Sequence, residues 1–73
     1  MGKFPAAKHL SDGEYRLLLT VYADHNSSMG LEERKNYTLS DIVKVKRNPE
    51  ENCLDVHYQN GEWWHYYGNG TWG

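Results

Sequence analysis

The spacing of apolar residues changes once along this chain, from a helical period to an alternating one. Ser11-Asp-Gly-Glu14 reads as a capping box, in which the Ser11 hydroxyl accepts from the Glu14 amide and the Glu14 side chain reaches back. Behind it Tyr15, Leu18, Leu19 and Tyr22 recur at i, i+3, i+4 and i+7, with Leu17 and Val21 widening the stripe. Arg16, Thr20 and Asp24 fall away from it. The pattern predicts an amphipathic helix over 11–25, ended by the turn-type residues Asn26 to Gly30. Residues 31–37 are polar and fit one helical turn or an ordered loop. Asp41–Arg47 alternates instead, and its β-branched Ile42, Val43 and Val45 favour a strand. Residues 1–10 show no sustained period and contain Pro5, so they read as a partly ordered lead-in.

Two aromatic-rich runs, Cys53–Gln59 and Glu62–Tyr67, flank Asn60-Gly61, the dipeptide best suited to a two-residue type I′ hairpin. That loop sets Tyr58 opposite Trp63, His57 opposite Trp64, Val56 opposite His65 and Asp55 opposite Tyr66. A four-residue loop at 48–51 sets Val45 opposite Leu54, Lys44 opposite Asp55 and Val43 opposite Val56, so apolar and oppositely charged residues meet. A loop one residue longer would place valines opposite His57 and Asp55. One face of this 41–73 meander then holds Val43, Val45, Leu54, Val56, Tyr58, Trp63, His65 and Tyr67, with Trp72 opposite Tyr67 if Gly68-Asn-Gly70 turns the chain. The other holds Ile42, Lys44, Lys46, Cys53, Asp55, His57, Gln59, Glu62, Trp64 and Tyr66.

Seventy-three residues suit one small domain, 1–73, near the lower size limit for folding without staples. The only cysteine, Cys53, cannot close an intramolecular disulfide, which with the lack of a secretory pattern suggests a cytoplasmic setting. No apolar run reaches membrane-spanning length. Met1-Gly2 begins like a myristoylation motif, but Ala6 stands where Ser or Thr is needed. Asn26, Asn36 and Asn69 begin Asn-x-Ser/Thr matches, read as chance without a secretory signal. A net charge of −2 exerts no global pull on nucleic acid. Three Trp and six Tyr exceed what so short a core requires, which directs attention to the aromatics of the outer face.

Candidate chemistry is sparse. Cys53, Asp55 and His57 share a strand face and are metal-ligating types, but in this register His65 points away from them, so no metal site is expected. At a rise of about 3.3 Å per residue, Cys53 and His57 stand too far apart for thiol activation. No glycine-rich turn precedes a helix to cradle an oxyanion or phosphate. No catalytic residue and no cofactor is therefore expected. Thr38-Leu-Ser-Asp41 raises a rival, a winged helix with a recognition helix over 39–47, whose Lys44, Lys46 and Arg47 would suit phosphates. The β-branched residues in that stretch rank it below the strand.

The expectation is an α+β fold, an N-terminal amphipathic helix packed on a three- to four-stranded antiparallel β-meander, with Thr71-Trp72 as the short fourth strand. The expected function is non-enzymatic binding to another protein or to a second copy, as a homodimer, without a membrane. The candidate surface is Ile42, Lys44, Lys46, His57, Trp64 and Tyr66, beside the strand edge at Asp41–Arg47. The alternative is nucleic acid, by single-strand stacking on the sheet or by a winged helix.

Overall fold

A computed structural model describes residues 2–73; Met1, and with it the start of the lead-in and of the myristoylation motif, lies outside them. The fold is α+β, with one long helix and a three-stranded antiparallel sheet. Helix α1 spans Asp12–Ser27. Its capping box forms: the Glu14 N–H donates to Ser11 Oγ at 3.2 Å and the Ser11 N–H to Glu14 Oε1 at 2.7 Å. The helix runs through Asn26 and Ser27, past the expected end. Arg34, on the single-turn helix α2 (Leu31–Arg34), stops it by donating to the carbonyls of Asn26, Ser27 and Met29. The Asn26 and Ser27 carbonyls belong to the last turn, where the helix itself supplies no i+4 donor.

The strands are β1 (Ile42–Asn48), β2 (Cys53–Tyr58) and β3 (Trp63–Tyr67), in spatial order β1-β2-β3. Thr38 and Asp41 do form a reciprocal cap, but it closes only one 3-10 turn before β1 begins. The winged-helix alternative thereby falls. β-branched residues at 42, 43 and 45 hold the backbone extended.

Both strand pairings depart from expectation. The loop between β1 and β2 has four residues, but it is Pro49–Asn52, one position later than expected. Asn52 takes the left-handed conformation (φ 53°), which asparagine tolerates better than most side chains. Asn48 therefore pairs with Cys53 and Val45 with Val56, a slip of two residues that preserves each side chain's face. A bulge between Ile42 and Lys44 makes one exception: Ile42 turns into the core and Val43 is exposed, reversing their expected roles.

The second pairing slips by one. Asn60 is not at positive φ, so the type I′ turn is absent. Gln59, Asn60 and Gly61 form a three-residue loop instead. The Gly61 N–H donates to the Tyr58 carbonyl at 3.0 Å, Gly61 lies at φ 91°, and the Tyr58 N–H donates to the Glu62 carbonyl at 2.9 Å. This is a type I turn closed by a left-handed residue. Val56 now faces Trp64, Leu54 faces Tyr66, Asp55 faces His65 and His57 faces Trp63. Every β3 side chain exchanges faces.

The same turn recurs at Tyr67-Gly-Asn-Gly-Thr71. The Gly70 N–H donates to Tyr67 at 3.0 Å, Gly70 has φ 91°, and the Tyr67 N–H donates to Thr71 at 2.8 Å. Beyond it the chain makes a single bridge, with Trp72 opposite Tyr66 rather than Tyr67.

Leu18 and Val21 of α1 share one buried cluster with Ile42, Val45, Leu54, Val56, Tyr58 and Tyr66 of the sheet, and the buried His25 meets the Tyr66 hydroxyl. The lead-in belongs to it as well: Ala7 and Leu10 are buried, and Phe4 lies 5.8 Å from the Tyr15 ring. A core this small gains from every apolar side chain it recruits, which orders a segment that has no period of its own.

Candidate functional site

The outer face of the sheet, away from α1, is built in three rows across the strands: Lys44, His57 and Trp63; Lys46, Asp55 and His65; Asn48, Cys53 and Tyr67. Of the expected surface, Lys44, Lys46 and His57 are here, both lysines exposed and His57 half-buried. The other three are not. Ile42 is buried by the bulge, Tyr66 is fully buried, and Trp64 faces the core with its indole N–H buried and without an acceptor. The one-residue slip of β3 removes both aromatic anchors and replaces them with Trp63 and Tyr67.

Trp63 is 49% exposed. Its ring lies flat against His57 (5.4 Å between centroids, 12° between planes) and edge-on to His65 at 4.9 Å. His57 and Trp63 are directly opposed on adjacent strands, which brings the rings together. A two-residue loop sends Trp63 to the core, whereas the three-residue loop turns it outward. The decisive signal was nevertheless legible: testing a three-residue loop by the same pairing rule gives Val56–Trp64, Leu54–Tyr66 and Asp55–His65, all favourable pairs. The repeated Tyr-x-Asn-Gly at 58–61 and 67–70 marks the turn.

His65, expected in the core, stands beside Asp55 and Cys53. His65 Nδ1 is 2.9 Å from Asp55 Oδ1 and 3.4 Å from Cys53 Sγ, and Cys53 Sγ is 3.5 Å from Asp55 Oδ1. Burial, with the Asp55 carboxylate beside it, pushes the Cys53 thiol up to about 11. Although burial opposes it, hydrogen bonding from His65, Asn48 and Cys53 holds the Asp55 carboxyl below the usual carboxylate range. This is not a nucleophilic triad. Thiol and carboxylate both approach the same imidazole nitrogen, whereas a catalytic relay uses one nitrogen for each. A thiol so strongly held in its protonated form is a poor nucleophile near neutral pH.

The inner face carries a second histidine cluster. His25 Nδ1 lies 2.8 Å from the Tyr66 hydroxyl, which lies 2.5 Å from the Tyr58 hydroxyl. The Tyr37, Trp64, Tyr66 and Trp72 rings surround His25. Burial lowers the His25 pKa and pushes the Tyr58 hydroxyl up to about 12. The cluster is shut from solvent and holds the core together.

At the start of α1, Glu14 accepts two hydrogen bonds from Arg47, at 2.7 and 2.8 Å, which with the Ser11 amide hold its carboxyl down at about 2. Arg47, a candidate phosphate contact under the winged-helix reading, is thus engaged within the fold. No helix among the described residues is long and apolar enough to cross a membrane. No protein-family model, no curated protein and no solved structure matches the chain.

Proposed function

We propose that this protein is a non-enzymatic binding module that engages another protein through the outer face of its sheet. One observation carries the reading: Trp63, the most exposed ring of that face, is held flat on His57, whose other neighbour in the row is Lys44. A large ring fixed before binding loses little side-chain freedom on docking, which is why such residues dominate interface energetics. Exposed Lys44 and Lys46, on β1 across the same face, favour a partner that offers an apolar pocket with carboxylates at its margin. Affinity capture with the wild-type chain should recover a partner that is lost with Trp63→Ala and weakened by Lys44→Glu/Lys46→Glu. Equal recovery by all three would overturn the reading. Sedimentation of the isolated chain should show a monomer at all concentrations; a dimer dissolved by Trp63→Ala would make the partner a second copy.

The same ring stack beside two lysines also supports a second reading, single-stranded nucleic acid stacked on Trp63 and His57. It predicts quenching of tryptophan fluorescence by an oligonucleotide at low salt, reversed as salt rises. Absence of quenching at low salt eliminates it. The net charge of −2 places it second.

A further inference from the structure

The outer face holds one constellation that the binding reading leaves unused. Cys53 and Asp55 stand two residues apart on β2, and His65 lies directly across from Asp55 on β3. Their ligating atoms, one from each, lie within 4.8 Å of one another. We propose that Cys53 Sγ, Asp55 Oδ1 and His65 Nδ1 form a three-donor site for a divalent transition-metal ion of zinc type, with water in the fourth position.

The triangle has the right size. Its edges are 3.5 Å (Sγ to Oδ1), 3.4 Å (Sγ to Nδ1) and 2.9 Å (Nδ1 to Oδ1). With Zn–S at about 2.3 Å and Zn–N and Zn–O at about 2.0–2.1 Å, tetrahedral geometry sets such donors about 3.3–3.6 Å apart. Only the nitrogen–oxygen edge must open, by a few tenths of an ångström. On binding, the thiol proton leaves to solvent as the Sγ–metal bond forms, and the imidazole carries its proton on Nε2.

The ladder holds the donors in place. The Tyr58–Glu62 hydrogen bond, followed down the alternation, makes Asp55–His65 a non-hydrogen-bonded pair, the kind whose side chains approach most closely. The His65 backbone is tied on its other side to Gly73, at 2.9 and 3.0 Å. Asn48 Nδ2 lies 3.5 Å from the same Asp55 oxygen and 3.2 Å from Glu51, in position to orient the carboxylate. The Asp55 and His65 side chains keep 17% and 20% of their exposure, so an ion and its water have access. Thiolate with imidazole selects zinc or cobalt over magnesium or calcium, which take oxygen donors.

The test is titration of the full chain, freed of metal by chelation, with Co2+ alone. The expected result is one ion per chain, with visible bands of four-coordinate cobalt and a near-ultraviolet thiolate-to-cobalt band, all displaced by Zn2+. Because Cys53 is the only cysteine, the thiolate band assigns it without mutation. Side-chain nitrogen NMR of the four histidines should show Zn2+ moving His65 Nδ1, leaving His9 unmoved. His65→Gln and Asp55→Asn should each weaken binding at least ~10-fold, while His9→Gln binds like wild type. Absence of the thiolate band in the wild-type chain, or a zinc shift at His9 or His57 in place of His65, overturns the site even if every variant misfolds.

Discussion

The two faces of the sheet hold similar residues in opposite circumstances. On the inner face, His25, Tyr66 and Tyr58 form a hydrogen-bonded chain enclosed by Tyr37, Trp64 and Trp72. On the outer face, His65, Asp55 and Cys53 form a cluster of comparable size, flanked by a half-exposed Trp63. The inner groups are neutral, because burial penalises charge more than one hydrogen bond restores, so their role is to specify packing. The outer cluster keeps an ionised carboxylate and access to solvent. The environment, more than the residue types, separates the structural histidine from the available one.

Four perturbations would break or sharpen this contrast. The largest effect is expected on the inner face. Tyr66→Ala should lose about 3–5 kcal/mol of stability in denaturant unfolding, because it empties a fully buried ring site and leaves His25 unpaired. A loss comparable to that of a surface substitution would show that β3 is not registered as described.

The loop that sets the register comes next. Gly61→Ala should cost about 1–2 kcal/mol, because residue 61 is held at φ 91°. Asn60→Ala should cost less, roughly 0.5–1 kcal/mol, since its loss is the acceptor for the Glu62 N–H. Equal costs would point to positive φ at both positions, and so to the two-residue loop.

Acidification should reach the inner face through His25. Its pKa is lower folded than unfolded, so the unfolded chain binds the proton more readily. Stability from this group is complete above about 6.5 and falls as pH drops from there toward the folded value. Tyr37, Trp64, Tyr66 and Trp72 surround it, and none is charged near neutral pH. Melting temperature should therefore decline as pH falls through about 6.5 toward 5.5, and His25→Gln should flatten that decline. An unchanged profile in the variant would remove His25 as the cause. The smallest effect on stability belongs outside: Trp63→Ala should change it by no more than about 1 kcal/mol, the lost contact with His57 included.

Much of the architecture was legible because it is local. The capping box, the 3.6-residue stripe and the β-branched alternation each act within a few residues and located α1 and β1, and the short turns between strands gave their order. The candidate surface was half legible. Lys44, Lys46 and His57 lie on strands whose faces survive a two-residue slip, and so they stand where expected. Trp64 and Tyr66 lie on a strand displaced by one residue, and one residue is enough to invert a face.

The sequence by itself determined that a helix and three strands form, and that Asn60-Gly61 closes a hairpin. Tertiary structure decided how many residues that hairpin spends in its loop. Asn-Gly fits both a two-residue turn and the end of a three-residue one, and the local difference is small beside the burial of Tyr66 and Trp64 against α1. That burial turned Trp63 to the surface and brought His65 beside Cys53 and Asp55.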